Sequence, residues 1–431
     1  MTSLRLVAAD HVAGAVYVIE PRTGRVLTRL HGRHPAEHAG FLHLADARVA
    51  FVDDLAGELV VLAPFAAGTG DPTVVASAPV AVPAEHMAAD PGGRFVVVTS
   101  GCGRSWEPWS DLLTIVDLDP RTGGGPGEAV RPWAVRVRTR IGEPGVTVIP
   151  GRAAPANAQE PAAADDLFVL LRHRMPGALH AHRLSHLLDA LPGCPKVEPL
   201  IRLPLPDDGH GDAADPATGQ VFAATGGGVH RARLSDAGLV AEPPLPWDVP
   251  GHHGGRGYYL RLDPARRTLW SNVRGGPEEP GEWPLWTNDA WWHRLDDETT
   301  GRVPLGPGLV FRLAFCADRV VFTRIHPDGD ELIVVGADDP AVLARVPLPP
   351  MDGAPRKGGT PWDGVQRRAV AASPTAPLVA VTRGGHGQIH LIDLSAGAEL
   401  HTLHLPTSFD EGGHMALIAT DDGSPGDAVG R

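Results

Sequence analysis

His86-Met-Ala-Ala-Asp-Pro-Gly-Gly-Arg94 runs straight into Phe95-Val-Val-Val-Thr99. An extended segment stops at Asp-Pro, because proline offers no N–H to a sheet ladder and sets up a turn. Two glycines carry the chain around, and a run of valines then reads as a second, fully buried strand. The same layout returns along the chain. Ala213-Ala-Asp-Pro-Ala-Thr-Gly-Gln220 precedes Val221-Phe-Ala-Ala-Thr225, and Leu260-Arg-Leu-Asp-Pro-Ala-Arg-Arg267 precedes Thr268-Leu-Trp-Ser-Asn272. Val370-Ala-Ala-Ser-Pro-Thr-Ala-Pro377 precedes Leu378-Val-Ala-Val-Thr382.

A third strand follows in several of these units, as in Leu113-Thr-Ile-Val-Asp-Leu118 and Ile389-His-Leu-Ile-Asp-Leu394, and a fourth in Ala398-Glu-Leu-His-Thr-Leu403. Long amphipathic helical patterns are almost absent, Leu184 to Leu191 being the one short candidate. Self-similar four-strand units at this spacing predict an all-β chain folded as a β-propeller. Counting strand starts gives blades near residues 38–82, 86–138, 143–204, 210–246, 253–306, 308–348 and 367–405. The eighth blade combines the two ends, with Met415 to Thr420 innermost, then Leu4 to Ala8, Val16 to Glu20 and Val26 to Leu30. Such a shared blade closes the ring and removes the open sheet edge. Eight blades is the count, with seven as its alternative, in one propeller domain over residues 1–431. Gly- and Pro-rich stretches at 121–132, 150–165, 275–291 and 349–365 read as long loops inside blades.

The composition bounds the function. A net charge of −13 gives no general attraction for nucleic acid or for anionic membrane surfaces. No apolar run is long enough to span a bilayer. The first ten residues lack a basic region followed by an apolar stretch, so no signal peptide is expected. Cys102, Cys194 and Cys316 form no Cys-x-x-Cys pair and read as reduced thiols, which points to the cytoplasm. Gly-x-Ser-x-Gly, Walker and His-Glu-x-x-His motifs are all missing.

In a propeller the first strand of every blade lines the central channel, so residues at the strand starts converge on the axis. Histidines recur there: His38 before blade two, His86 in blade three, His210 in blade five, His252 and His253 before blade six, and His414 in the closing blade. Acidic residues sit beside them, with Asp208 and Asp212 as possible carboxylate ligands and Glu37, Glu85 and Glu411 close by. Neutral imidazole is the commonest transition-metal ligand, and three or four nitrogens with a carboxylate suit Zn²⁺, with Fe²⁺ or Cu²⁺ as alternatives. The expected ligands are His86, His210, His253 and His414, with His38 as a fifth. The plainer reading is that these imidazoles hydrogen-bond neighbouring loops. His31, His34, His38 and His43 form a second group, read as a polar loop, and His173, His180, His182 and His186 read as surface residues.

Two stretches concentrate tryptophan: Trp106 to Trp109, and Trp283 to Trp292 with Trp286 at its centre. Both lie after the second strand of a blade, a connection that emerges on the same rim as the strand starts. They are expected either to plug grooves between blades or to overhang the histidine mouth and stack on a flat ligand. Arg256 and Tyr259, just after the His252–His253 pair, are placed to supply polar channel groups.

Ala8-Ala-Asp-His11, then Val16-Tyr-Val-Ile-Glu20 with Thr23-Gly-Arg-Val-Leu27, together with histidine at successive blade starts, resembles the bacterial zinc-metallochaperone propellers that serve ABC-type zinc importers. That resemblance implies a propeller binding Zn²⁺ through histidines near the channel and passing it to a protein partner. Three functions follow from the sequence: a metal-binding propeller acting as a chaperone, a metal enzyme (lyase, cyclase, hydrolase or oxygenase) with a small organic substrate, or a metal-free protein scaffold. Nucleic acid and membrane are not among the expected partners.

Overall fold

The computed structural model describes all residues except 1–2, 66–71, 101–110, 120–131, 141, 143, 152–162, 191, 236–237, 421–427 and 430–431. Eight antiparallel sheets stand around a central channel as the blades of a propeller. Blades two to five start with Phe41–Leu44, Ala84–Ala89, Gly145–Pro150 and Asp212–Asp215. Blade six starts with Arg256–Gly257 and Arg261–Asp263, blade seven with Leu309–Cys316 and blade eight with Val370–Ala372. In each, three further strands step outward. A short strand, Ala428–Val429, pairs with Phe41 and Leu42 and adds a fifth strand to the inner edge of blade two.

The ring closes as the sequence predicts. His414–Ala419 is the inner strand of blade one and pairs antiparallel with Leu4–Asp10, from Leu4 opposite Ala419 to Ala9 opposite His414. The Asp-Pro turns are explained by their hydrogen bonds. Asp90 accepts from the backbone N–H of Gly92 and of Phe95, at 2.9 and 2.6 Å, and Asp263 accepts from Ala265 and Arg266. A buried carboxylate thus satisfies turn amides that would otherwise be orphaned.

Inner and middle strands are covered on both faces by neighbouring blades, which is why they read as continuous apolar runs rather than alternating ones. All six residues of Phe95–Ser100 are buried, whereas the outer strand Thr73–Pro79 is mostly exposed. The apolar core is divided accordingly. Each of the eight grooves between blades holds its own cluster of buried side chains, such as Phe95, Ile115, Val146 and Leu171 between blades three and four.

Candidate functional site at the channel mouth

Inner strands from all eight blades enclose a cavity of 310 Å³. Its two ends differ. Pro91, Pro216, Pro264 and Pro374, the turn prolines of the repeated motif, line one end. The strand starts bring His86, His210, Asp212 and Tyr259 toward the other, while His43 and Arg261 lie further along their strands, and alanine and branched aliphatic residues line the wall between.

Blade three supplies the most informative group. Strict alternation along Ala84–Ala89 would send Glu85 and His86 to opposite faces. A bulge between Ala84 and His86 re-aims them, fixed by the His86 N–H donating to Thr99 Oγ1 at 3.1 Å. Both side chains then approach the mouth, with His86 Nε2 3.9 Å from Glu85 Oε1. His38 reaches the same oxygen from the turn before blade two, its Nδ1 at 3.2 Å. Glu85 is 1% exposed, and its Oε2 has no hydrogen-bond partner among the described residues. Burial, reinforced by Arg172, His38 and His210, pushes the His86 imidazole down to about 3, so it is neutral with a free lone pair at physiological pH. Burial pushes the nearby Asp54 carboxyl up to about 6, with Asp53 and Glu37 adding to the rise.

The opposite arc is basic. Arg172, 3% exposed on the second strand of blade four, lies 3.5 Å from Asp212 and donates to the carbonyls of Gly209 and His210 at 3.2 and 2.9 Å. A glycine makes that crossing possible: a Cβ on Gly145 would fall 2.0 Å from Asp212 Oδ1. Burial raises the Asp212 carboxyl, and Arg172 opposes the rise. Arg261 reaches far enough across the channel to help depress His43, which burial takes to about 4.

The expected site residues separate into groups. His38 and His86 meet on Glu85. His210 lies across the mouth, its ring edge-on to Tyr258 with centroids 5.7 Å apart. His414 is 5% exposed beside His11, with ring nitrogens 3.1 Å apart. His253 stands apart, 75% exposed and 3.5 Å from Asp248. Tyr259 and Asp212 line the channel, whereas Asp208 is exposed and caps a turn by accepting from Gly226 N–H. Arg256 is exposed and stacks on Tyr258, 4.7 Å from the ring centre. Among the described residues, no three His, Cys, Asp or Glu side chains stand close enough to hold a metal ion as they are placed.

Several expectations need correction. His43 is not in a polar loop: it lies on the inner strand of blade two and lines the channel. Its strand neighbours Leu42 and Leu44 belong to the cluster shared with blade three, and Phe41 to the cluster shared with blade one. His11 follows directly on Leu4–Asp10, whose Ala9 stands opposite His414, and that proximity was readable from the ring closure. His173, His180 and His182 are not surface residues but 1%, 2% and 3% exposed, because both faces of the central strands of blade four are covered. Trp286 is on the rim that carries His210, linked through Arg274 and Tyr258. It is nonetheless a plug rather than a lid: 1% exposed, stacked on Trp362 and donating from Nε1 to Pro277 O. Trp106 and Trp109 lie outside the described residues.

No family model matches the chain, and no curated protein matches it. Solved structures do. The structure of apo AztD from Citrobacter koseri aligns over 99% of this chain and 99% of its own, with a TM-score of 0.65 at 13% identity. A second structure of Citrobacter koseri AztD covers 97% and 98%, with a TM-score of 0.63 at 13% identity. Dihydro-heme d1 dehydrogenase NirN in complex with DHE covers 95% of this chain and 75% of its own, with a TM-score of 0.57 at 14% identity. At these identities the likeness is one of fold.

Proposed function

We propose that this propeller binds a transition metal as cargo, Zn²⁺ first, on the arc of the mouth formed by His38, Glu85 and His86, and passes it to a protein partner. The observation that carries the reading is Glu85, a buried carboxylate flanked by two imidazoles with one oxygen unpartnered among the described residues. A dication there would satisfy that oxygen, and Glu37 and Asp54 add negative potential nearby. Fe²⁺ and Cu²⁺ would use the same donors. Two nitrogens and a carboxylate leave a coordination position open, which suits an exchangeable ion better than a structural one. The sequence resemblance to zinc-metallochaperone propellers, and the fold shared with AztD, a propeller of that kind, support the same reading.

The channel beneath the mouth favours a second reading, in which the metal is catalytic and a small organic substrate enters the cavity toward Tyr259 and Arg261. Elemental analysis of freshly purified protein, followed by Zn²⁺ titration against a chromophoric chelator, tests the metal itself. Binding is expected to weaken at least about tenfold in Glu85→Gln and in His86→Ala. Zinc below roughly a tenth of an equivalent, with no uptake on titration, removes both readings.

A further inference from the structure

Blade six begins with two like charges face to face. Arg256, on its first strand, stands directly opposite Arg274 on the second, Thr268–Gly275. Gly255 permits that approach: its φ is +84°, and a Cβ there would fall 2.7 Å from the Arg274 carbonyl oxygen. Both guanidiniums then converge on one ring. Arg256 lies 4.7 Å and Arg274 4.5 Å from the centre of Tyr258, and both donate to its phenol oxygen. Arg274 also packs 4.0 Å from the centre of the buried Trp286 ring, so two aromatic faces fix its fork in place.

Like charges directly opposite on paired strands repel, and a net charge of −13 leaves carboxylates in excess to neutralise them. None does so here. The acidic side chains near this rim are engaged elsewhere: Asp289 pairs with Arg302 at 2.7 Å, Asp248 with His253 at 3.5 Å, and Asp208 accepts from Gly226 N–H. Neither Arg256 nor Arg274 makes an ion pair among the described residues, and no acceptor among them takes the Tyr258 O–H. Burial lowers the Arg274 pKa from the usual arginine value, and Arg256 lowers it further, against the opposing pull of Tyr258. Two cations and a hydroxyl donor held at one point, at a cost in repulsion, call for an anion.

We propose that Arg256, Arg274 and Tyr258 form an oxyanion site on the rim of the mouth, which takes the carboxylate or phosphate group of a small molecule. Planar guanidinium forks match the paired oxygens of those groups, and the phenol adds a further donor. Tyr258 also lines the channel, and its ring meets His210 edge-on with centroids 5.7 Å apart, so an anion held here lies beside the channel opening. The site is on the arc across from Glu85 and stands without a metal.

The test is calorimetric titration of the full chain, stripped of metal, with inorganic phosphate and with malonate, against chloride at matched ionic strength. Saturable binding of one equivalent of phosphate or malonate that chloride does not reproduce is expected, and the tighter of the two names the group. Arg256→Gln should weaken that binding about tenfold or more, the loss of a hydrogen bond to a charged group. Tyr258→Phe, which keeps the ring and removes the hydroxyl, should weaken it as well. Because Arg256→Gln removes the repulsion, the variant without anion should melt no lower than the unmodified chain in low-salt buffer, which separates a lost site from a damaged fold. Phosphate and malonate that bind no better than chloride, or an affinity unchanged in Arg256→Gln, would overturn the proposal. So would a lower melting temperature of Arg256→Gln without anion, since the guanidinium would then be a structural clamp on Tyr258.

Discussion

The buried imidazoles of blade four contribute to the acid sensitivity of the fold. A histidine in the unfolded chain titrates near 6.5, whereas folded His173 titrates at about 3 and folded His180 and His182 at about 4. A folded value below the unfolded one means that the unfolded chain binds more protons as the pH falls. Stability is therefore complete above about pH 6.5, declines below it and levels off near pH 3 to 4. At pH 5 each unfolded imidazole has gained about 2 kcal/mol by protonation while its folded counterpart remains neutral. The gain is realised in the unfolded state, where the three titrate separately, so it adds to about 6 kcal/mol. That is a large part of the ~5–15 kcal/mol that stabilises an ordinary domain. The assay is urea unfolding of the chelator-treated protein at pH 7.5, 6.5, 5.5 and 5, compared with His173→Leu/His180→Leu/His182→Leu. Asp54, pushed up to about 6, works in the opposite direction but is present in both proteins, so the difference between them isolates the imidazoles. Parallel pH dependences for the two proteins would refute the reasoning.

Three other outcomes follow from single contacts. Arg368, fully buried, pairs with Asp330 at 2.7 Å, and Arg368→Met strands that carboxylate, so a loss of about 3–5 kcal/mol is expected by chemical denaturation. Adding Asp330→Leu should recover most of it. Trp286→Ala should cost about 3–5 kcal/mol and leave Zn²⁺ affinity unchanged; unchanged stability would mean that the loop is a lid after all. Burial pushes the Cys316 thiol up to about 12, so it should resist a disulfide reagent in the native protein and react on unfolding, as labelling followed by peptide mapping would reveal.

The fold was legible because its signals are local and repeated. Asp-Pro turns and buried valine runs mark the first two strands of a blade, and the predicted blade from 86 to 138 compares with strands spanning Ala84 to Arg138. The shared closing blade could be read from the chain ends alone. The candidate site was legible only in part. Strand starts located His38, His86 and His210 on one rim. The bulge that turns Glu85 toward His86, and the reach of Arg172 from the second strand of blade four to Asp212, depend on packing between blades and leave no pattern in either segment. Trp286 misled because tryptophan in a Gly- and Pro-rich loop reads as exposed, whereas Trp362, distant in sequence, covers it.

Closing the ring with strands from both ends has a consequence for biogenesis. The edge of Leu4–Asp10 that receives His414–Ala419 must wait on the ribosome for some four hundred residues of chain. Blades two to eight can assemble in the order of synthesis, but the contact between His11 and His414 cannot form until the last of them is made. A nascent or partly opened ring therefore presents both an unpaired sheet edge, which invites aggregation, and an unfinished mouth. The His11–His414 side of the mouth is therefore a property of the released, fully closed protein, and its formation doubles as a readout of successful maturation.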